Sequence, residues 1–184
     1  MSQDTDKTKK SVPAILIVDD EEIVLVALRD TLVREGYAVV ASPHAVHAFS
    51  VLKAQEFSVI ITDQQMPMVS GLEFLAQVRE IQPNATRILI TAVLNLSTLI
   101  EAINKAEIFR FVVKPWSREE LLASVKSAVE RFDFITGNAR RLAQTLARND
   151  ELEQINRALE NQVERLTREN AALRRPAGNR PPTD

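Results

Sequence analysis

The chain has 184 residues, 45% of them apolar, a net charge of −2, two histidines and no cysteine. That suits one cored domain plus an appendage and excludes disulfides, thiol catalysis, cysteine-based zinc sites and a histidine-rich metal site. No apolar run reaches membrane-spanning length, residues 1–10 lack the apolar core of a signal peptide, and the charge gives no drive for nonspecific nucleic-acid binding, so a soluble cytoplasmic protein is expected.

Residues 1–12 are polar, with lysines at 7, 9 and 10, and are expected to form a disordered, solvated tail. Ala14-Ile15-Leu16-Ile17-Val18 is a continuous apolar run that ends in Asp19-Asp20-Glu21-Glu22. Unbroken rather than alternating apolarity predicts a strand buried on both faces, and hence a parallel sheet covered by helices. From Glu22 the period turns helical: Val24, Leu25, Leu28 and Leu32 share a face, and Gly36 is placed to end the helix. Tyr37 to Ala41 is the second predicted strand. Pro43 can open the second helix, with Ala45, Ala48, Phe49 and Leu52 inward. His44 and His47 stand three apart there, a spacing that can ligate a metal, but no third ligand is near and surface histidines are expected.

Val59-Ile60-Ile61-Thr62-Asp63 is the third strand, stopped by Gln64-Gln65-Met66-Pro67-Met68. A helix with Phe74, Leu75, Val78 and Ile81 inward follows Gly71 and ends at Pro83-Asn84. Arg87 to Ile90 is strand four, closing on Thr91-Ala92, and Leu96, Leu99, Ile100 and Ile103 mark a fourth helix. Phe109 to Val113 is strand five, ending at Lys114-Pro115-Trp116. Ser117 and Glu120 form a capping box for a fifth helix, with Leu121, Val125, Val129 and Phe132 inward. This alternation predicts a doubly wound α/β sandwich, a (βα)5 parallel sheet for which a flavodoxin-like order is the natural candidate.

After Gly137 the pattern changes. Leu152, Leu159, Leu166 and Leu173 recur every seven residues, and three positions before each stand Asn149, Asn156, Val163 and Asn170. With the leucines at d and these residues at a, the repeat predicts a parallel, in-register coiled-coil homodimer, since an asparagine at a can bond its mate. Glu169 with Arg174, and Arg148 with Glu153, can pair between chains. A single amphipathic helix lying on its own domain is the competing reading, but a two-in-seven stripe is narrow for that. The Pro-rich end is expected to be a disordered tail.

Polar groups collect at the carboxyl ends of the predicted strands: Asp19, Asp20, Asp63, Thr91 and Lys114. Crowded carboxylates repel unless a cation compensates, and a pair of them with water and phosphate oxygen is the set Mg²⁺ takes. Lysine and threonine suit an oxyanion, and a carboxylate such as Asp63 can accept a phosphoryl group as an acyl phosphate. A single acid after a strand is commonly only a cap or turn former. Five polar groups at successive strand ends make a site.

Ile17-Val18-Asp19-Asp20-Glu21, Asp63 to Met68 with Gly71, Thr91-Ala92 and Lys114-Pro115 together resemble the receiver domain of bacterial two-component response regulators, over residues 13–133. The resemblance implies that Asp63 takes a phosphoryl group from a sensor histidine kinase or phosphotransfer protein. It implies that Asp19, Asp20, Asp63 and the Gln65 backbone carbonyl serve Mg²⁺, Asp19 through water. Thr91 and Lys114 would hold phosphoryl oxygens, and Phe111 would be the switch aromatic that turns inward when Thr91 moves. Such a chain is a signalling domain and not a turnover enzyme. The departures are Asn104-Lys105-Ala106-Glu107, where the family usually carries a glycine, and Gln65 and Val93, at positions that tune phosphoryl lifetime. The stretch Ile108 to Phe111 with Lys114-Pro115-Trp116 is similar to receivers ahead of enhancer-binding activators or cyclic-di-GMP phosphodiesterases.

The expected organisation is therefore a tail at 1–12, a receiver domain at 13–133, a helical linker and coiled coil at 134–175, and a tail at 176–184. The expected function is a phosphorylation switch that controls a dimeric output through the coil. The alternative is an N-terminal fragment of a larger regulator whose effector follows. An aspartyl phosphatase is disfavoured because Gln65 stands where such enzymes of the haloacid dehalogenase type carry a second acid. A DNA-binding zipper is disfavoured because Arg140, Arg141 and Arg148 are too sparse for a basic region.

Overall fold

The computed structural model describes residues 14–92 and 106–173. Five parallel strands form one sheet: β1 (Ala14–Val18), β2 (Ala38–Ser42), β3 (Val59–Asp63), β4 (Thr86–Thr91) and β5 (Arg110–Val113). Their order is β2-β1-β3-β4-β5, the flavodoxin-like order. The register aligns Val18 with both Ser42 and Thr62, Asp63 with Ile90, and Thr91 with Val113, so the polar strand ends fall at one edge. The three interior strands are buried on both faces, as unbroken apolar runs require.

Helices α1 (Glu22–Arg34), α2 (Ala45–Ala54) and α3 (Gly71–Ile81) cover the sheet together with the start of α4 (Arg118–Leu173). On one face Leu52, Phe57, Phe74, Leu75 and Val78 pack against Leu16, Ile60 and Leu89. On the other, Leu25, Leu28 and Leu32 of α1 join Leu121, Val125 and Val129 of α4 over Ile15, Ile61 and Ile88. The predicted helix at Leu96, Leu99, Ile100 and Ile103 lies outside the described residues, as do both expected tails.

Three local details depart from the sequence reading. The second helix opens at Ala45 with His44 as its N-cap, not at Pro43, because the Ser42 hydroxyl donates to the His44 carbonyl and forms a turn there. Ile81 is exposed rather than inward. Gln82 takes the bridging place instead: its side chain donates to the Leu52 and Gln55 carbonyls and accepts from the Phe57 N–H. A capping box at Ser70 and Glu73 also starts α3. Its counterpart before α4 has Glu120 N–H donating to Ser117 Oγ at 3.1 Å.

The chain divides into two units, residues 1–137 and 138–184. In the second, every described residue from Asn138 to Asn170 is exposed. Its apolar side chains Leu146, Leu152, Ile155, Leu159, Val163 and Leu166 are open to solvent, and the i,i+4 ion pairs Glu153–Arg157 and Glu164–Arg168 each span one turn of the helix. No helix among the described residues is long and apolar enough to cross a membrane.

Candidate phosphoacceptor site

Asp63 ends β3, and its neighbours are set by backbone first. Gln64 N–H donates to the Ile90 carbonyl across to β4, and Gly71 N–H donates back to the Gln64 carbonyl, closing the loop after the strand. Gly71 must be glycine for a steric reason: a Cβ there would stand 2.0 Å from the Asp63 carbonyl oxygen and 2.9 Å from Leu89. The start of α3 is thereby pressed against the acceptor's own backbone. Met68, in the loop between, takes the left-handed region at φ 70°.

The Asp63 carboxylate is buried and has both oxygens engaged. Oδ1 meets Lys114 Nζ at 2.6 Å, and Oδ2 accepts from the Gln65 N–H. Lys114 also reaches Asp19 Oδ2 and Glu21 Oε1, each at 3.4 Å. Its own N–H donates to the Thr91 carbonyl at 2.8 Å, which ties the β5 end to the β4 end. Asp19 is buried, and its Oδ1 accepts from Glu21 N–H at 2.9 Å.

Electrostatics follow from this crowding. Burial pushes the Asp19 carboxyl above its usual range, against the pull of the Glu21 N–H and the Lys114 charge, and the nearby Asp63 carboxylate adds to the rise. Burial works against the Lys114 ammonium, but the Asp63 hydrogen bond and the charges of Asp19 and Asp63 outweigh it and hold its pKa above that of an ordinary lysine. Lys114 is a fixed cation beside the acceptor.

The structure thus brings together Asp19, Asp63 and Lys114, with the Thr91 backbone and the Gln65 N–H. Asp20 is exposed on the turn after β1, where it borders a cavity of about 400 Å³ shared with His44, Val46, Met66 and Met68. Phe111 is half-buried and packs against the α2/α3 side of the core. His44 and His47 are exposed, and the His47 ring lies 2.9 Å from Ser42 Oγ. Sequence reasoning gave Glu21 no role of its own, since only the fold shows that it shares Lys114. Among the described residues no three acidic or histidine side chains already form a metal cage. The available donors, two or three carboxylates and a backbone carbonyl, are hard oxygens of the kind Mg²⁺ takes while keeping several waters.

The model of the response regulator receiver domain matches residues 15–126, which contain every one of these groups. The chain belongs to the response regulator receiver family. A hydrogenase transcriptional regulatory protein, HoxA of Cupriavidus necator, is 40% identical over 116 residues, 63% of this chain and 24% of that protein. The receiver domain of an HD domain-containing protein from Pseudomonas fluorescens is 33% identical, with a TM-score of 0.63 over 66% of this chain and 97% of its own. The beryllofluoride-activated NtrC4 receiver domain dimer is also 33% identical, with a TM-score of 0.61 over 65% of this receiver chain and 98% of its own. This receiver chain spans about a quarter of the length of the curated relatives it matches.

Proposed function

We propose that Asp63 is the phosphoacceptor of this receiver and that a sensor histidine kinase or phosphotransfer protein is its donor. One observation carries the reading: a lysine of raised pKa lies 2.6 Å from a buried carboxylate at the strand-end edge of the sheet. In the transfer, an Asp63 carboxylate oxygen forms a bond to phosphorus as the donor's N–P bond breaks. The electron pair leaves with the imidazole nitrogen, which takes up a proton. Lys114 neutralises charge on the incoming phosphoryl oxygens, and the Thr91 side chain holds one of them. Asp20, Asp63 and the Gln65 carbonyl would hold Mg²⁺, with Asp19 through water. The ion would supply charge neutralisation of the phosphoryl oxygens. Thr91 and Phe111 would carry the change to the β5 surface.

The second unit is read as a parallel coiled-coil homodimer through Asn149, Leu152, Asn156, Leu159, Val163, Leu166, Asn170 and Leu173. The exposed d leucines Leu152, Leu159 and Leu166 support this. The transcriptional regulators among the relatives, of which the match covers about a quarter, support the reading that this receiver governs the output of a larger regulator.

Incubation with acetyl phosphate and Mg²⁺ should add one phosphoryl mass to the wild-type chain and none to Asp63→Asn. An Asp63→Asn protein phosphorylated as fully as the wild type would sink the assignment. Without Mg²⁺ no adduct should form.

A further inference from the structure

Arg87 on β4 is the largest fully buried side chain among the described residues, 1% exposed. A guanidinium in an interior is costly unless its donors are filled, and here two separate stretches of chain fill them. Nε donates to the Ala106 carbonyl at 2.8 Å, Nη1 to the Ala85 carbonyl at 3.0 Å and the Pro83 carbonyl at 3.3 Å, and Nη2 meets Glu107 Oε2 at 3.4 Å. The other Glu107 oxygen pairs with Arg79 of α3 at 3.2 Å. Glu107 itself sits at φ 47°, a left-handed conformation that a glutamate adopts only when its surroundings hold it. The backbone repeats the tie, since Phe109 N–H donates to the Arg87 carbonyl at 2.9 Å.

The position of this cluster is what gives it a use. Arg87 stands four residues before Thr91 on β4, and Glu107 four residues before Phe111 on β5. It therefore grips the chain four residues before each of the two groups assigned above to the switch. We propose that Arg87, Glu107 and Arg79 are positioning residues that latch the resting arrangement of the segment leading into Phe111, and so set how readily the Asp63 site takes up its activated state. This rests on the phosphoacceptor reading. A tie shifts an equilibrium only by the difference in its strength between the two states, so the latch must be weaker in the activated one. Loosening it then raises the fraction of competent protein, and apparent affinity for an activating ligand rises in proportion.

The test uses the full chain and beryllofluoride with Mg²⁺, titrated by calorimetry, with thermal unfolding measured on the same samples. Glu107→Gln removes the charge from a half-exposed side chain and should leave the fold intact. Glu107→Ala removes the carboxylate and keeps the β-carbon, so the backbone strain at this position is left in place. Both should bind beryllofluoride about threefold to tenfold more tightly than wild type, and Arg79→Met should shift affinity in the same direction by less. Wild-type affinity in Glu107→Gln and Glu107→Ala, or weaker binding, would make the cluster a purely structural tie and overturn the proposal, whatever happens to the melting temperature. If the wild-type chain itself binds no beryllofluoride, the phosphoacceptor reading falls first and the latch falls with it.

Discussion

The two units of this chain use their leucines in opposite ways. In the first, Leu28, Leu32, Leu75 and Leu121 are almost fully removed from water. In the second, Leu152, Leu159 and Leu166 each remain about half exposed at 50%, 52% and 49%. The first unit has a sheet to bury them against, and the hydrophobic return covers the entropy of ordering the chain. The second has only helix propensity and a few i,i+4 ion pairs, worth a few tenths of a kcal/mol each. Isolated helices are marginal in water, so a stripe of this kind calls for a partner helix. Burial thus stabilises the first unit from within, whereas the second unit leaves its apolar stripe uncovered.

A pair of leucine truncations tests that contrast most severely. Leu75→Ala, which empties a fully buried site, should cost the receiver about 3 kcal/mol of unfolding free energy in urea titrations. Leu159→Ala should change that same transition by less than about 0.5 kcal/mol and should instead lower the dimer fraction in sedimentation equilibrium. Equal destabilisation by the two would show that the units do not behave independently.

A smaller effect is expected at Gly71, where any Cβ collides with the Asp63 carbonyl. Gly71→Ala should destabilise the first unit by about 1–3 kcal/mol and slow acyl-phosphate formation, because the loop after β3 must move to relieve the clash. Retention of wild-type stability would mean that the close approach is not obligatory. In the second unit, Asn156→Val should tighten self-association, since asparagine at a coiled-coil a position trades stability for register. Unchanged association would argue against a seam at that position.

The smallest effect concerns Tyr37, the only tyrosine in the chain. Burial raises its pKa above the ordinary 10.0, and the charges of Glu35 and Glu130 add to the rise. The folded state therefore holds this proton more tightly than the unfolded chain. Its contribution to stability is full below the unfolded value and is lost as pH climbs through the folded one. Tyrosinate absorbance should titrate later in the folded protein than in urea, and Tyr37→Phe should flatten the alkaline loss of stability.

Much of the receiver was legible without coordinates. Strands at Ala14–Val18 and Val59–Asp63 announce themselves because a strand buried on both faces has no room for a polar residue until it ends. For the same reason Asp63, Asp19 and Lys114 stand out, as polar groups where apolar runs stop. The serine–glutamate spacing at Ser70 and Glu73 is a weaker local signal of the same kind, and the structure makes it a capping box. Glu21 and Arg87 were not readable. A charged residue next to other charges, or at the start of a strand, looks like solvated surface until its partner is known.

The sequence by itself determined which segments lie inside and which strand ends carry polar chemistry, because burial and strand period act locally, and its motifs around Asp19, Asp63, Thr91 and Lys114 carried the resemblance to receivers. Only the tertiary structure decided the strand order, the sharing of Lys114 among Asp63, Asp19 and Glu21, and the closure of Arg87 onto Ala106 and Glu107. Those contacts join residues far apart in the chain. Their strength depends on distance and desolvation, quantities that exist only once the sheet has closed its neighbours around them.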